Sequence, residues 1–222
     1  MYSIVIPAYD EEAAIRDVVA RTVAGNPDAE VILVDDGSRD GTWAIMQDLS
    51  ADGRIRAFRH CSNRGKACAL KTGYVSAVSG TIATIDADLS YAPEEIPGLV
   101  AKFEEGYDMV VGSRFLGGIP RELSRIRVFA NIVGSFLASL ILQRRVTDLT
   151  SGLRVFNRRV AFMEVKARNL EYEAELTSRV IRNKMQYAEV SVCVGRRVGR
   201  SKLKLLKNCY LFMKAVFVGR FF

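Results

Sequence analysis

Histidine is almost missing from this chain of 222 residues: His60 is the only one. A catalytic triad built on histidine therefore has little room, and His60, at the end of a β-branched run, reads as a surface residue rather than a catalyst. Cysteine is sparse as well. Cys61, Cys68, Cys193 and Cys209 form no CxxC pair, and no cleavable N-terminal signal precedes them, so a reducing, cytoplasmic setting is expected. No zinc-finger spacing, RNA-binding aromatic motif or basic zipper occurs, which argues against nucleic acid as a partner. Long apolar runs are lacking too. The longest apolar stretch, residues 127–145, is interrupted by Asn131, Gly134 and Ser135 and falls short of the ~20 residues of a membrane span, so it is expected to be a core or interfacial helix.

What remains is the composition of a folded domain, 49% hydrophobic and 26% charged, with a formal net charge of +7. That charge is unevenly spread. Residues 1–141 carry 14 basic and 19 acidic side chains, whereas residues 142–222 carry 18 and 6. The basic half is where an anionic partner should dock, and phosphate-bearing molecules or anionic lipid fit best.

Short apolar runs alternate with helical patterns from the start: "YSIVIPAY", "DEEAAIRDVVARTVAG", "EVILVDDG", "GTWAIMQDLSADG", "RIRAFRH", "GKACALKTGYVSAVSG", "TIATIDAD". This order predicts βαβ units and a mostly parallel sheet, in which ligands bind beyond the carboxyl ends of the strands. Those ends hold Pro7-Ala8-Tyr9-Asp10-Glu11, Asp35-Asp36-Gly37-Ser38 and Asp86-Ala87-Asp88, and "DMVVGSR" brings Arg114 to the same rim if its strand is parallel. On an extended segment Asp86 and Asp88 would face the same way, about 6.6 Å apart, within reach of one divalent cation. In the tail, Lys204, Lys207, Asn208 and Lys214 fall in one arc of a helical wheel with most aromatics opposite, the pattern of an interfacial amphipathic helix. The chain thus divides into a domain over residues 1–204 and a membrane-interfacial tail over 205–222.

The motifs "VIPAYDEE", "LVDDGSRDGT", "NRGKACALKTGYVSA", "IDADLSYAPEE", "VVGSRF", "VTDLTSGLRVF" and "RRVGRSK", in this order, resemble glycosyltransferase family 2, and among its members the dolichyl-phosphate or polyprenyl-phosphate hexosyltransferases. The resemblance covers residues 2 to 204. It implies a Rossmann-like GT-A fold, a GDP- or UDP-hexose donor, Mg²⁺ or Mn²⁺, and inverting transfer of mannose or glucose to a polyprenyl phosphate at the cytoplasmic membrane face. It assigns Pro7, Tyr9, Glu11, Val34 and Asp36 to the nucleoside, adds Lys66 to the donor site, and gives Asp86, Ala87 and Asp88 to ribose, metal and diphosphate. Arg114, Arg196 and Lys202 would meet the phosphates of donor or acceptor. One departure stands out: relatives usually carry "DADLQ", and Ser90 here replaces a Gln that resembles a further metal ligand.

A phosphate acceptor needs no general base, because it is already an anion. A hydroxyl acceptor would need one, and Glu173, Glu175 or Asp148 could then serve. A protein that only binds sugar nucleotides is the third reading, suggested by Ser90.

Overall fold

The computed structural model describes residues 1–51, 53–120, 123–169, 171–195, 198 and 205–222. Seven strands form one sheet in the order β3-β2-β1-β4-β6-β5-β7. The strands are β1 (Ser3–Ala8), β2 (Glu30–Asp35), β3 (Ile55–Arg59), β4 (Thr81–Thr84), β5 (Met109–Ser113), β6 (Arg154–Asn157) and β7 (Tyr187–Ser191). The helices are α1 (Ile15–Gly25), α2 (Thr42–Leu49), α3 (Lys66–Ser76), α4 (Ile96–Glu104), α5 (Arg125–Leu142), α6 (Arg158–Ala161), α7 (Tyr172–Arg182) and α8 (Leu205–Phe221). A 3-10 turn over Pro93–Glu95 leads into α4.

Alternation along the central strands divides the core into two halves. From β1, Ile4 and Ile6 face Ile15 and Val18 of α1 and Met46 of α2, while Val5 faces Leu70 and Tyr74 of α3 and the buried side of α7. Apolar residues on both faces are what a sheet covered by helices on each side requires, and they explain the unbroken apolar runs of β1 and β2. Only β6 runs against the rest, antiparallel to both β4 and β5. Six strands therefore end at one rim of the sheet, and β6 begins there.

Of the four polar residues expected on one arc of the tail, only Lys214 has a described side chain. Its helix α8 packs on α7 and α5, and Ala215 and Val216 join the core. A Cβ at Gly219 would lie 2.7 Å from Cβ of Ser178, so α8 approaches α7 through small residues. Tyr210, Phe217 and Phe221 are exposed, and so is Lys214. Cation and aromatics thus share the open face, because the packed face needs small side chains. Lys204 and the side chains of Lys207 and Asn208 lie outside the described residues. Beside α8, the helix α5 leaves Ile126, Phe129, Phe136 and Leu140 more than 60% exposed, a band of apolar surface. Among the described residues no helix is long and apolar enough to cross a membrane.

Candidate active site

At the rim, β4 stops at Thr84 and hands the chain to a turn over Ala87–Asp88, after which Leu89 takes a φ of 60°. The two aspartates are therefore set by a turn rather than by a continuing strand. Asp88 is buried, and its Oδ1 accepts hydrogen bonds from the backbone N–H (3.0 Å) and hydroxyl of Ser90. Ser90 thus closes the turn on Asp88. Tyr91 forms an antiparallel bridge with Val194, Gly195 N–H donates to Ser90 O (3.0 Å), and Val198 N–H donates to Asp88 O (3.0 Å). A Cβ on Gly195 would collide with the carbonyl of Leu89, so only glycine permits this docking. The start of the "GRRVGRSK" segment is in this way fastened to the aspartate turn, although Arg196 and Lys202 themselves lie outside the described residues.

Asp86 lies against Gly152, where any Cβ would strike its carboxylate. Its Oδ1 is 2.6 Å from Nζ of Lys66, the first residue of α3. The same ammonium is 2.5 Å from Oε1 of Glu173 on α7. Burial works against a charged amine here, but Asp86 and Glu173 outweigh it and hold Lys66 well above the ordinary lysine range. Glu173, by contrast, is pushed above its ordinary value by burial, which the charge of Lys66 only partly offsets.

Arg114 reaches the rim from the end of β5, as expected, but its guanidinium is already engaged. Nε and Nη2 grip Asp148 at 2.7 and 2.9 Å, Nη2 also donates to Oγ1 of Thr150 (2.9 Å), and the group lies over the Tyr91 ring. Burial raises the Asp148 carboxyl, yet the charge and hydrogen bonds of Arg114 prevail and hold it below its ordinary value. Glu175 is occupied as well. Its carboxylate accepts the backbone N–H groups of Lys166 (3.0 Å) and Ala167 (2.9 Å) and pairs with Arg179. Each of the three carboxylates considered as a base thus has a cationic partner.

The nucleoside positions separate into rim and core. Pro7, Tyr9 and Glu11 are half-buried at and beyond the end of β1. Val34 has a fully buried side chain and pairs in the ladder with Pro7 and Phe58. Asp36 accepts the backbone N–H groups of Arg64 (3.0 Å) and Gly65 (2.8 Å), and His60 Nδ1 lies 2.7 Å from its Oδ1. His60 is thus a buried bracket between Asp36 and Thr72, not a surface residue. Asp36 also supports the turn that delivers Lys66. Ala87 is buried between the two aspartates.

Arg154 went unassigned in the sequence. It is 2% exposed at the start of β6, and it donates to the carbonyls of Ser151, Leu149 and Glu173 and to Oγ1 of Thr177. These bonds bind the 149–154 segment to α7 and so fix Gly152 under Asp86. The quoted motif "VTDLTSGLRVF" held both residues, but one motif cannot reveal partners that α7 supplies.

Residues 3–162 match the family described as glycosyl transferase family 2. Over 211 residues the chain is 29% identical to a polyprenol monophosphomannose synthase of Mycolicibacterium smegmatis, covering 90% of this chain and 80% of that protein. It is 42% identical over 114 residues to an undecaprenyl-phosphate 4-deoxy-4-formamido-L-arabinose transferase of Shewanella sediminis, covering 49% of this chain; the chain spans about a third, 34%, of that longer relative. Its fold matches glucosyl-3-phosphoglycerate synthase of Mycobacterium tuberculosis, solved with Mn²⁺, UDP and glucosyl-3-phosphoglycerate, at a TM-score of 0.77 and 22% identity over 99% of this chain and 79% of that one. A GT-A sheet with paired aspartates at its rim, and a family match over most of the length, lead to one conclusion: the chain belongs to glycosyl transferase family 2 and is a glycosyltransferase.

Proposed function

We propose that this enzyme transfers a hexose, mannose or glucose, from a GDP- or UDP-sugar to a polyprenyl phosphate with inversion, working at the cytoplasmic face of a membrane. The observation that carries the reading is that Glu173, Asp148 and Glu175 are each committed to a cation. Such a rim suits an acceptor that arrives already ionised, and relatives named for polyprenol and undecaprenyl phosphate point the same way.

Among the described residues no cluster of three metal-ligating side chains occurs. Two carboxylates still fit Mg²⁺ or Mn²⁺, because such ions commonly take one or two carboxylates and complete their shell with substrate phosphates and water. The cradle that Gly152 leaves for the Asp86 carboxylate, and the turn that fixes Asp88, hold both donors in place. When bound, the ion would neutralise charge on the departing nucleoside diphosphate.

The chain's own residues do the rest. Asp86 and Asp88 present the carboxylates, and Lys66 holds Asp86 while lending its charge to the diphosphate side of the site. Arg114, kept in place by Asp148, contributes positive field near Asp86 without having to be displaced. Arg196 and Lys202 are proposed to meet donor or acceptor phosphate; Gly195 and Val198, near Arg196 in the sequence, are hydrogen-bonded to the Asp88–Ser90 turn. An oxygen of the acceptor phosphate bonds to the anomeric carbon as its bond to the diphosphate oxygen breaks, and the electron pair leaves with the nucleoside diphosphate. Pro7, Tyr9 and Glu11 border the space for the nucleoside. Phe217, Phe221 and Lys214 of α8, with the apolar band of α5, form the face laid against the membrane.

Incubating the protein with Mn²⁺, a short polyprenyl phosphate and a panel of sugar nucleotides, read by product mass, tests the reading and names the hexose. A second reading, transfer to a hydroxyl, rests on Glu173, whose raised carboxyl suits a base. Glu173→Gln should then abolish turnover, whereas a phosphate acceptor predicts a loss traceable to weaker donor binding through Lys66.

A further inference from the structure

Some arginines and lysines of this chain have carboxylate partners, as Arg16 has Asp48, Arg21 has Glu94 and Arg56 has Glu30. Four that do not are gathered around one cavity. It measures about 600 Å³, opens between α3 and residues 165–168, and is lined by Arg64, Lys71, Lys166 and Arg168 together with Asn63 and Cys68. None of the four cations has an ion pair among the described residues, and no carboxylate lines the cavity.

The nearby acids are turned to other tasks. Glu175 takes the amides of Lys166 and Ala167, Glu171 takes that of Arg168 (3.4 Å), and Asp36 takes those of Arg64 and Gly65. These bonds fix the backbone at Arg64, Lys166 and Arg168 through its amides and use none of the charged side-chain ends. The two walls are joined directly. Ala67 N–H donates to Arg168 O (3.0 Å), and Gly65, at a φ of +93°, lets Arg168 O approach to where a Cβ would be only 2.6 Å away. The four cations thus line one concave, solvent-exposed surface of a single sign, which favours an anion over a cation.

The cavity is not the rim site. Ala67, Cys68 and Lys71 fall on one face of α3 and Arg64 lies in the turn before it, whereas Lys66 points away to Asp86 and Glu173. We propose that this cavity is a second anion site, binding a small phosphate-bearing group. Lysine and arginine together suit phosphate oxygens, and the volume exceeds one phosphate, leaving room for what the phosphate is attached to.

Isothermal titration of inorganic phosphate into the full chain, without metal or nucleotide, should show binding that Lys71→Glu with Arg168→Glu weakens at least about tenfold, equivalent to roughly 1.4 kcal/mol. Lys71→Gln with Arg168→Gln should weaken it less, and Mn²⁺-dependent nucleoside diphosphate binding at the rim should be unaffected by either pair. A parallel arm measures co-sedimentation with phosphatidylcholine vesicles with and without phosphatidic acid. Loss confined to inorganic phosphate would assign the site to a soluble phosphate, and loss confined to the vesicles would assign it to a lipid headgroup. Absence of binding to both probes, or binding to both that survives charge reversal, would overturn the proposal.

Discussion

Asp88 spends one carboxylate oxygen on Ser90, and that bond governs what substitution should do at the turn. Asp88→Asn preserves an acceptor for Ser90 but removes the charge, so transfer should fall below detection while stability changes by less than about 1 kcal/mol, read by activity and thermal melting side by side. Ser90→Gln releases Oδ1 of Asp88 from the hydroxyl and supplies an amide oxygen. Calorimetric titration of Mn²⁺ into the nucleotide-free protein should therefore show tighter binding for Ser90→Gln than for the parent, with the difference shrinking once nucleoside diphosphate is present; equal affinity in both states would contradict this. Asp148 belongs to stability rather than to chemistry. Its carboxyl titrates below its ordinary value of 3.8, so the pair with Arg114 stabilises the fold fully above that value and is lost as pH falls through the lowered one. Asp148→Asn leaves a buried guanidinium without its counter-charge and should cost about 3 to 5 kcal/mol at pH 7 by urea unfolding, with a shallower loss of stability on acidification than the parent shows.

At the scale of elements, α8 unites two roles that substitution can separate. Val216 is fully buried, so Val216→Ala should cost about 2 kcal/mol through lost transfer energy and the cavity left behind. Phe217 is 50% and Phe221 53% exposed, so replacing both by Ser should leave the melting temperature nearly unchanged while reducing binding to anionic liposomes. Co-sedimentation with such liposomes checks this, and unchanged binding would remove α8 from the membrane face. Strands β1, β2, β4 and β5 were legible as short, largely apolar runs ending in polar residues, and β3, with Arg56 and Arg59, through its place in the strand–helix alternation. Strand β6 was not, because its first residue is Arg154, whose burial depends on carbonyls from the 149–151 loop and on α7. The same limit applied at the rim. The pair Asp86 and Asp88 could be seen as a motif, but Lys66 and Glu173 lie 107 positions apart in the sequence and meet only through the packing of α3 and α7.

For the whole molecule, the acidic first half forms most of the sheet and the basic second half completes it, so charge asymmetry and architecture coincide. The apolar band of α5 and the exposed aromatics of α8 lie on helices that pack against each other, and the proposed membrane contact would run across both. If that face binds through lysines as well as aromatics, attachment to anionic vesicles should weaken as salt rises from 50 to 500 mM, roughly the range over which screening shortens from beyond 10 Å to below 5 Å. The central claim is that the acceptor is a lipid phosphate, and it is tested most directly by offering the enzyme, with its best sugar nucleotide and Mn²⁺, either a polyprenyl phosphate or the corresponding polyprenol. The account predicts a hexosyl phosphate product, identified by mass, from the first and none from the second; transfer to the polyprenol, or donor turnover indifferent to the phosphate, would contradict it.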